Sequence, residues 1–292
     1  SSSGGRAAGE SRRPSPDPTD DGHRFSEVLY RASSLLGGFG TYPDSLIAWC
    51  RPPAGTEGRW TLNWNGYAFD FAANDGTKGI AIDLTTCPAK PRIFQGPNGF
   101  SRKGVGKMAA SQYYSFTRLE TSGSVTLDGK IFEVTGQSWM DKEFGSNQLG
   151  EDQVGWDWFS LQLADGCDLM LYVLRNGDGG VDYASGTIVG AEGGETFIGH
   201  DDFTIEVLDR WTSPDGETTY PARWSLSVPS RNMQLEIVPE KADQENRSTL
   251  IPSMRYWEGA VQVLDKTGTP GGKGYVETVS YTHLRANETA AD

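Results

Sequence analysis

Three dipeptides constrain this chain more than any other feature: Asn65-Gly66, Asp128-Gly129 and Asp165-Gly166. Each stands between runs that alternate apolar with polar residues. Trp60, Leu62 and Trp64 precede the first, and Tyr67, Phe69 and Phe71 follow it. The second separates residues 124–127 from 130–134, and the third separates 156–163 from 168–174. Asn, Asp and Gly tolerate the positive φ of a tight turn, so each dipeptide predicts a β-hairpin. Further strands are expected at 79–84, 113–119, 183–189, 203–208, 224–228, 233–238, 256–264 and 274–278. Residues 25–36 alone offer a helix, and a strand fits there nearly as well. The fold class is all-β and antiparallel, and hairpins with aromatic interiors favour barrels, which remove exposed edges.

A length of 292 residues predicts about two domains. The chain also echoes itself. Arg59-Trp60-Thr61-Leu62 returns as Arg223-Trp224-Ser225-Leu226, and Gly123-x-Val125 with Gly129-Lys130-x-Phe132 returns as Gly259-x-Val261 with Gly272-Lys273-x-Tyr275. The expected division is a disordered leader at 1–21, a first domain at 22–150, a second at 151–278 and an atypical tail at 279–292. Lys plus Arg number 26 against 39 Asp plus Glu, a net charge of -13 that argues against tracking nucleic-acid phosphates. No apolar run reaches the ~18 residues of a spanning helix, which leaves peripheral contact with a membrane open. Three scattered cysteines and three scattered histidines offer neither a disulfide framework nor a zinc ligand set, so no metal site is expected. Nine tryptophans suit a protein that holds a hydrophobic small molecule.

The densest polar-aromatic segment is Trp139-Met140-Asp141-Lys142-Glu143-Phe144. In a strand, Trp139, Asp141 and Glu143 share one face. Two carboxylates beside an indole can supply a general acid and an ionised partner, and a strand end turning into solvent explains them equally. Asp157 lies between Trp156 and Trp158 on the opposite strand face, pointing outward or capping a barrel end. Tyr113, Tyr114 and Arg118 fit ligand contact or a barrel core. Trp257 and Glu258 repeat the pairing of an aromatic with an acid. The glycine-rich stretch 96–104 lacks phosphate-loop spacing and reads as a long loop over a barrel mouth. No Gly-x-Ser-x-Gly elbow is present, and His200 stands alone, which places Ser-based hydrolysis last.

Several ordered segments together resemble the carotenoid 1,2-hydratase (hydroxyneurosporene synthase) and AttH-like family. They are Gln112-Tyr113-Tyr114-Ser115-x-Thr117-Arg118-Leu119, Gly136-x-Ser138-Trp139-Met140-Asp141-Lys142-Glu143, Gly155-Trp156-Asp157-Trp158-Phe159, Trp211-x-Ser213-Pro214 and Tyr256-Trp257-Glu258-Gly259. The resemblance implies two consecutive lipocalin-like β-barrels. The family's opening Glu-Trp-Trp-Tyr hairpin is not visible, so the first barrel is expected to be truncated at its N-terminus. Lys142 and Phe144 replace the family's commoner residues, which argues against a side-chain role at 142. The resemblance also implies cofactor-free hydration of an acyclic isoprenoid, with Asp141 as acid and Glu143 or Asp157 orienting water. Trp139, Trp156, Trp158, Trp257, Tyr113, Tyr114 and Arg118 would line the substrate. Other members are secreted hydrolases or pericyclic catalysts, and a carrier of a hydrophobic ligand is the competing class. Family resemblance points to a secreted, periplasmic or membrane-associated setting, although the chain shows no signal peptide.

Overall fold

The computed structural model describes residues 35–41, 44–104, 109–145, 150, 152–216, 218–247 and 255–280. Nineteen strands lie among them, in two antiparallel sheets. The stretch open to a helix lies outside the described residues except for Leu35 and Leu36, which form a turn.

The first sheet holds β1 (Gly37–Phe39), β2 (Leu46–Cys50), β3 (Trp60–Trp64), β4 (Phe69–Asp75), β5 (Ile80–Pro88), β6 (Ile93–Phe94), β7 (Phe100–Arg102), β8 (Ala110–Leu127) and β9 (Lys130–Phe144). Strands β1 to β5 run in sequence order onto one edge of β8, which β6 and β7 share, and β9 pairs along the other edge. The stretch expected to be a loop over a barrel mouth is instead tied down, because Phe100–Arg102 hydrogen-bonds to Ala110–Gln112 of β8. The β8–β9 hairpin turns at Asp128 and Gly129, whose φ angles of 49° and 76° make the expected two-residue turn. Lys142 at one edge of the sheet sits 4.8 Å over the ring of Phe39 at the other. The sheet is thus a curled half-barrel whose edges meet through side chains.

The second sheet holds β10 (Gln153–Leu163), β11 (Asp168–Asn176), β12 (Val181–Val189), β13 (Glu195–Gly199), β14 (Thr204–Thr212), β15 (Thr219–Val228), β16 (Met233–Pro239), β17 (Glu245–Arg247), β18 (Arg255–Asp265) and β19 (Pro270–Ser280). Its order is β13-β12-β11-β10-β19-β18-β16-β15-β14, with β17 also on β18. Phe159 on β10 and Trp224 on β15 are four places apart in that order, yet their rings meet at 5.6 Å. The sheet therefore wraps around its own core. Phe159, Leu161, Leu171, Trp224, Leu226, Trp257 and Val263 fill it, all essentially inaccessible. Arg231, in the turn between β15 and β16, donates to Thr196 Oγ1 of the edge strand β13 at 2.9 Å and ties that edge to the far side of the sheet.

Period-two alternation then decides what β10 does with its other face. Phe159, Leu161 and Leu163 point into the second core, so Trp156, Trp158, Ser160 and Gln162 must point the other way. There they meet the β8–β9 hairpin, and the two sheets join through polar contacts. Asp168 is the densest of them. Its Oδ2 accepts from Lys90 Nζ at 2.7 Å and Thr117 Oγ1 at 2.8 Å, and its Oδ1 from Arg118 Nη2 at 2.6 Å. Thr117 and Arg118 both reach it because the β8–β9 register slips between Phe116 and Leu119, so two residues oppose Trp139 alone.

Candidate active site

The site forms where the outer face of the second sheet meets β8 and β9. Residues paired across the ladders make one row on that face: Tyr172, Trp158, Glu277 and Glu258. On the hairpin, Tyr113 lies opposite Glu143 and Ser115 opposite Asp141. Tyr113, Tyr172 and Leu174 pack with Trp139, Trp156 and Trp158 as an aromatic cluster between the sheets.

Asp141 is the polar centre of this cluster. Its Oδ1 accepts from Ser115 Oγ at 2.5 Å and from Trp139 Nε1 at 2.8 Å, and its Oδ2 accepts from Tyr113 Oη at 2.8 Å. Tyr113 Oη in turn accepts from Trp158 Nε1 at 3.1 Å, so the chain of hydrogen bonds crosses from one sheet to the other. The indoles of Trp139 and Trp158 stand 6.4 Å apart, nearly perpendicular. Burial raises the Asp141 pKa, the three donors oppose that, and the charge of Glu143 adds to it. Tyr113 is pushed well above the usual phenol range, chiefly by burial and then by the charge of Asp141, so it remains a neutral donor.

Asp141, Trp139 and Trp158 open onto a cleft of about 1320 Å³. Ser160, Tyr275 and Glu258 continue its wall, Arg118, Gln137, Gln162 and Lys273 add polar groups, and Leu163, Ala164, Ala260, Val261 and Pro270 add apolar surface. Beside the cleft, Lys103 Nζ pairs with Glu143 Oε1 at 2.8 Å and lies 4.1 Å over the Tyr172 ring. Burial lowers the Lys103 pKa and Glu143 holds it up. Glu277 Oε2 accepts from Trp156 Nε1 at 3.3 Å. Burial raises the Glu277 pKa to about 7, with the Glu258 charge as the next cause.

The residues singled out from sequence divide. Asp141, Glu143, Tyr113, Trp139, Trp156 and Trp158 come together here. Arg118 lines the cleft, but its guanidinium is held by Asp168 and by the Leu163 carbonyl. Tyr114 takes the other face of β8, with Phe116 at 6.3 Å and the Arg92 guanidinium 5.4 Å over its ring. Asp157 lies on the opposite face of β10 from Trp156 and Trp158, paired with Arg175 at 3.3 Å. Its pKa is raised by burial, with Arg175 opposing. Trp257 belongs to the second core, where it packs on Trp224 at 5.9 Å and donates to the Ala242 carbonyl at 2.8 Å. Lys142 faces away from Asp141, toward Phe39.

Sequence reasoning passed over Lys103, Ser115 and Glu277. Ser115 had a signal, since it stands two residues from Tyr113 on the same face. Glu277 had none, because its place beside Trp158 depends on the β10–β19 pairing of distant segments. Among the described residues no three His, Cys, Asp or Glu side chains gather as a metal-binding set, and no helix is long and apolar enough to cross a membrane.

Comparison with known proteins sets this geometry in a family. The AttH-like family matches residues 16–281. A protein of Nitrosomonas europaea described as an AttH is 31% identical, with a TM-score of 0.70 over 76% of this chain and 68% of that one. Kievitone hydratase from Nectria haematococca shares the fold at 17% identity, with a TM-score of 0.62 over 82% of this chain and 72% of its own. CghA, solved with Sch210972, does so at 9% identity, with a TM-score of 0.52 over 81% and 70%. No curated protein matches by sequence. With the match spanning both sheets and the site between them, the chain belongs to the AttH-like family.

Proposed function

We propose that this chain is a hydratase, adding water to a carbon–carbon double bond of a hydrophobic, isoprenoid-type substrate with Asp141 as the proton donor. The arrangement of the Asp141 carboxyl carries this reading. A carboxyl group has about four lone-pair directions. Three are occupied by Ser115, Trp139 and Tyr113, and the group lies on the cleft wall. A proton on the fourth is the one available to a bound alkene, and burial keeps it in place to higher pH than in a free aspartate.

The chemistry then balances. The alkene π pair takes the Asp141 proton and forms a new C–H bond, leaving a cation on the more substituted carbon. Asp141 becomes a carboxylate, which the same three donors stabilise. Trp139 and Trp158 line the cleft, and an indole face against the cation is worth ~2 kcal/mol when water is excluded. Water bonds to the cationic carbon through an oxygen lone pair and gives its spare proton to a carboxylate, so the product gains one water. The fold relationship to a protein named as a hydratase is in keeping with this chemistry.

The cleft also narrows the substrate. A bare polyene of the kind taken by carotenoid 1,2-hydratases supplies the alkene but leaves the charged Lys273 on the cleft wall against hydrocarbon, which is costly, whereas Arg118, Gln137 and Gln162 are already hydrogen-bonded within the protein. A substrate with an isoprenoid alkene at one end and a polar group at the other fits both parts. The test is mass spectrometry after incubation with lycopene and, separately, with farnesol. Farnesol is expected to gain one water faster than lycopene, and Asp141→Asn to lose turnover while tryptophan quenching by the substrate persists. Turnover surviving in D141N removes Asp141 as the acid. Quenching with no mass gain from either probe replaces the enzyme with a carrier.

A further inference from the structure

We propose that Glu277, which stands beside the cleft between the cleft-lining Trp158 and Glu258, is the second proton-handling group and takes the proton from the adding water. This rests on the hydratase reading above and assigns a role which neither Glu143 nor Asp157 is placed to fill. Asp157 is on the wrong face of β10, and Glu143 is held by Lys103 and by Ser111 Oγ, which donates to the same Oε1.

The placement of Glu277 is the first support. In the row across the second sheet it stands between Trp158 and Glu258, and both of those line the cleft. Trp158 is also the indole that reaches Tyr113 and, through it, Asp141. An acid on the first sheet and a base on the second thus flank one aromatic wall, so a substrate alkene lying on Trp158 has a carboxyl to each side.

The second support is the cost of the arrangement. Like charges directly opposite each other on neighbouring strands destabilise a sheet, and Glu277 and Glu258 are such a pair. The groups acting on Glu277 from the packed elements are Glu258 of β18, Glu143 of β9 and the Trp156 indole of β10. No lysine or arginine forms an ion pair with it among the described residues. Asn246 Nδ2 donates to Glu258 Oε2 at 3.0 Å, and burial together with the Glu258 charge raises the Glu277 pKa to about 7. A group balanced between its two forms at working pH is what a general base requires.

In the step, the Glu277 carboxylate accepts the proton as the water oxygen bonds to the cationic carbon. The resulting acid passes its proton to solvent, and Asp141 recovers one from solvent. No oxidant, reductant or further reactant enters.

Two readouts test this. Trp156 Nε1–H is bonded to Glu277, so its indole resonance should titrate in the full chain with a midpoint near pH 7. The titration should vanish in Glu277→Gln and move to lower pH in Glu258→Gln, where the like charge is removed. A Trp156 resonance that stays flat between about pH 5 and pH 9 overturns the coupled pair. In turnover, E277Q is expected to lower kcat by about 10²-fold with KM within about twofold, and to remove the fall in activity below neutral pH. Active wild type with E277Q equally active overturns the base role alone. Absence of hydration in the wild type overturns it together with the hydratase reading. Activity that declines as pH rises through neutrality, and does so only while Glu277 is present, makes Glu277 the donor and also overturns it.

Discussion

Tyr113 joins the two sheets at the atom that matters most, receiving the Trp158 N–H and giving its own proton to Asp141. Tyr113→Phe keeps the ring and deletes both bonds. In the proposed hydration, the Asp141 carboxylate left by proton transfer then loses one of its three donors, and hydrogen bonds to charged groups contribute about 1.5–3 kcal/mol. Turnover should fall about 10- to 100-fold, substrate quenching should persist, and the pKa of Asp141 should move further up because a stabiliser of the ionised form is gone. Unchanged kcat in Y113F would mean that the chain of hydrogen bonds only positions Trp158. At this scale the sequence is legible wherever residues two apart on one strand share a face. Trp139, Asp141 and Glu143 do, and the same rule places Asp157 away from Trp156 and Trp158. It is silent on Lys103 and Glu277, whose neighbours come from other strands through register that no local pattern encodes.

The three hairpin dipeptides all turn the chain, but each does so differently. At Asp128-Gly129 both residues are left-handed, and Leu127 pairs directly with Lys130. Asn65-Gly66 opens a wider loop in which Asn65 Oδ1 accepts from the Tyr67 and Ala68 N–H groups at 3.2 and 3.0 Å. At Asp165-Gly166 the closing bond runs from Leu163 N–H to the Cys167 carbonyl, so three residues form the loop. A dipeptide thus announces a turn, while the pairing of the flanking strands sets its length. The slip at Thr117-Arg118 is invisible in sequence because no glycine marks it. It exists to bring both side chains to Asp168, an acid on the other sheet. Gly129→Ala tests the tight turn cleanly. Nothing lies within 4 Å of an added Cβ, so the only cost is the φ of 76°, about 1–2 kcal/mol for an L-residue. The melting temperature should drop by a few degrees with activity intact; no drop would mean the turn is not of this type in solution.

Between the two sheets an aromatic cluster is flanked by buried polar contacts, unlike the apolar core of the second sheet. Besides Asp168, Gln95 links Ser115 at 2.8 Å to Thr187 at 2.7 Å, and Gln162 Nε2 donates to the Thr117 and Ser138 carbonyls. Separating the halves leaves these groups to water only after the packing around them has opened, so the halves should unfold together. Asp168 anchors the coupling because it offsets two cations from the first sheet's side, Lys90 and Arg118, and it is itself wholly inaccessible. Asp168→Asn keeps the shape but leaves both cations short of a counter-charge, and breaking a buried pair in this way costs about 3–5 kcal/mol. In urea, tryptophan fluorescence and far-UV circular dichroism should trace one transition in the wild type. In D168N the midpoint should fall and the two traces should separate. The cleft takes Asp141 from the first sheet and Trp158 from the second, so turnover in D168N should vanish at urea concentrations where the circular dichroism is still native. A single, unshifted transition in D168N would assign the coupling to the aromatic cluster around Tyr113 and Trp158 instead, and the site itself would then be what holds the two sheets together.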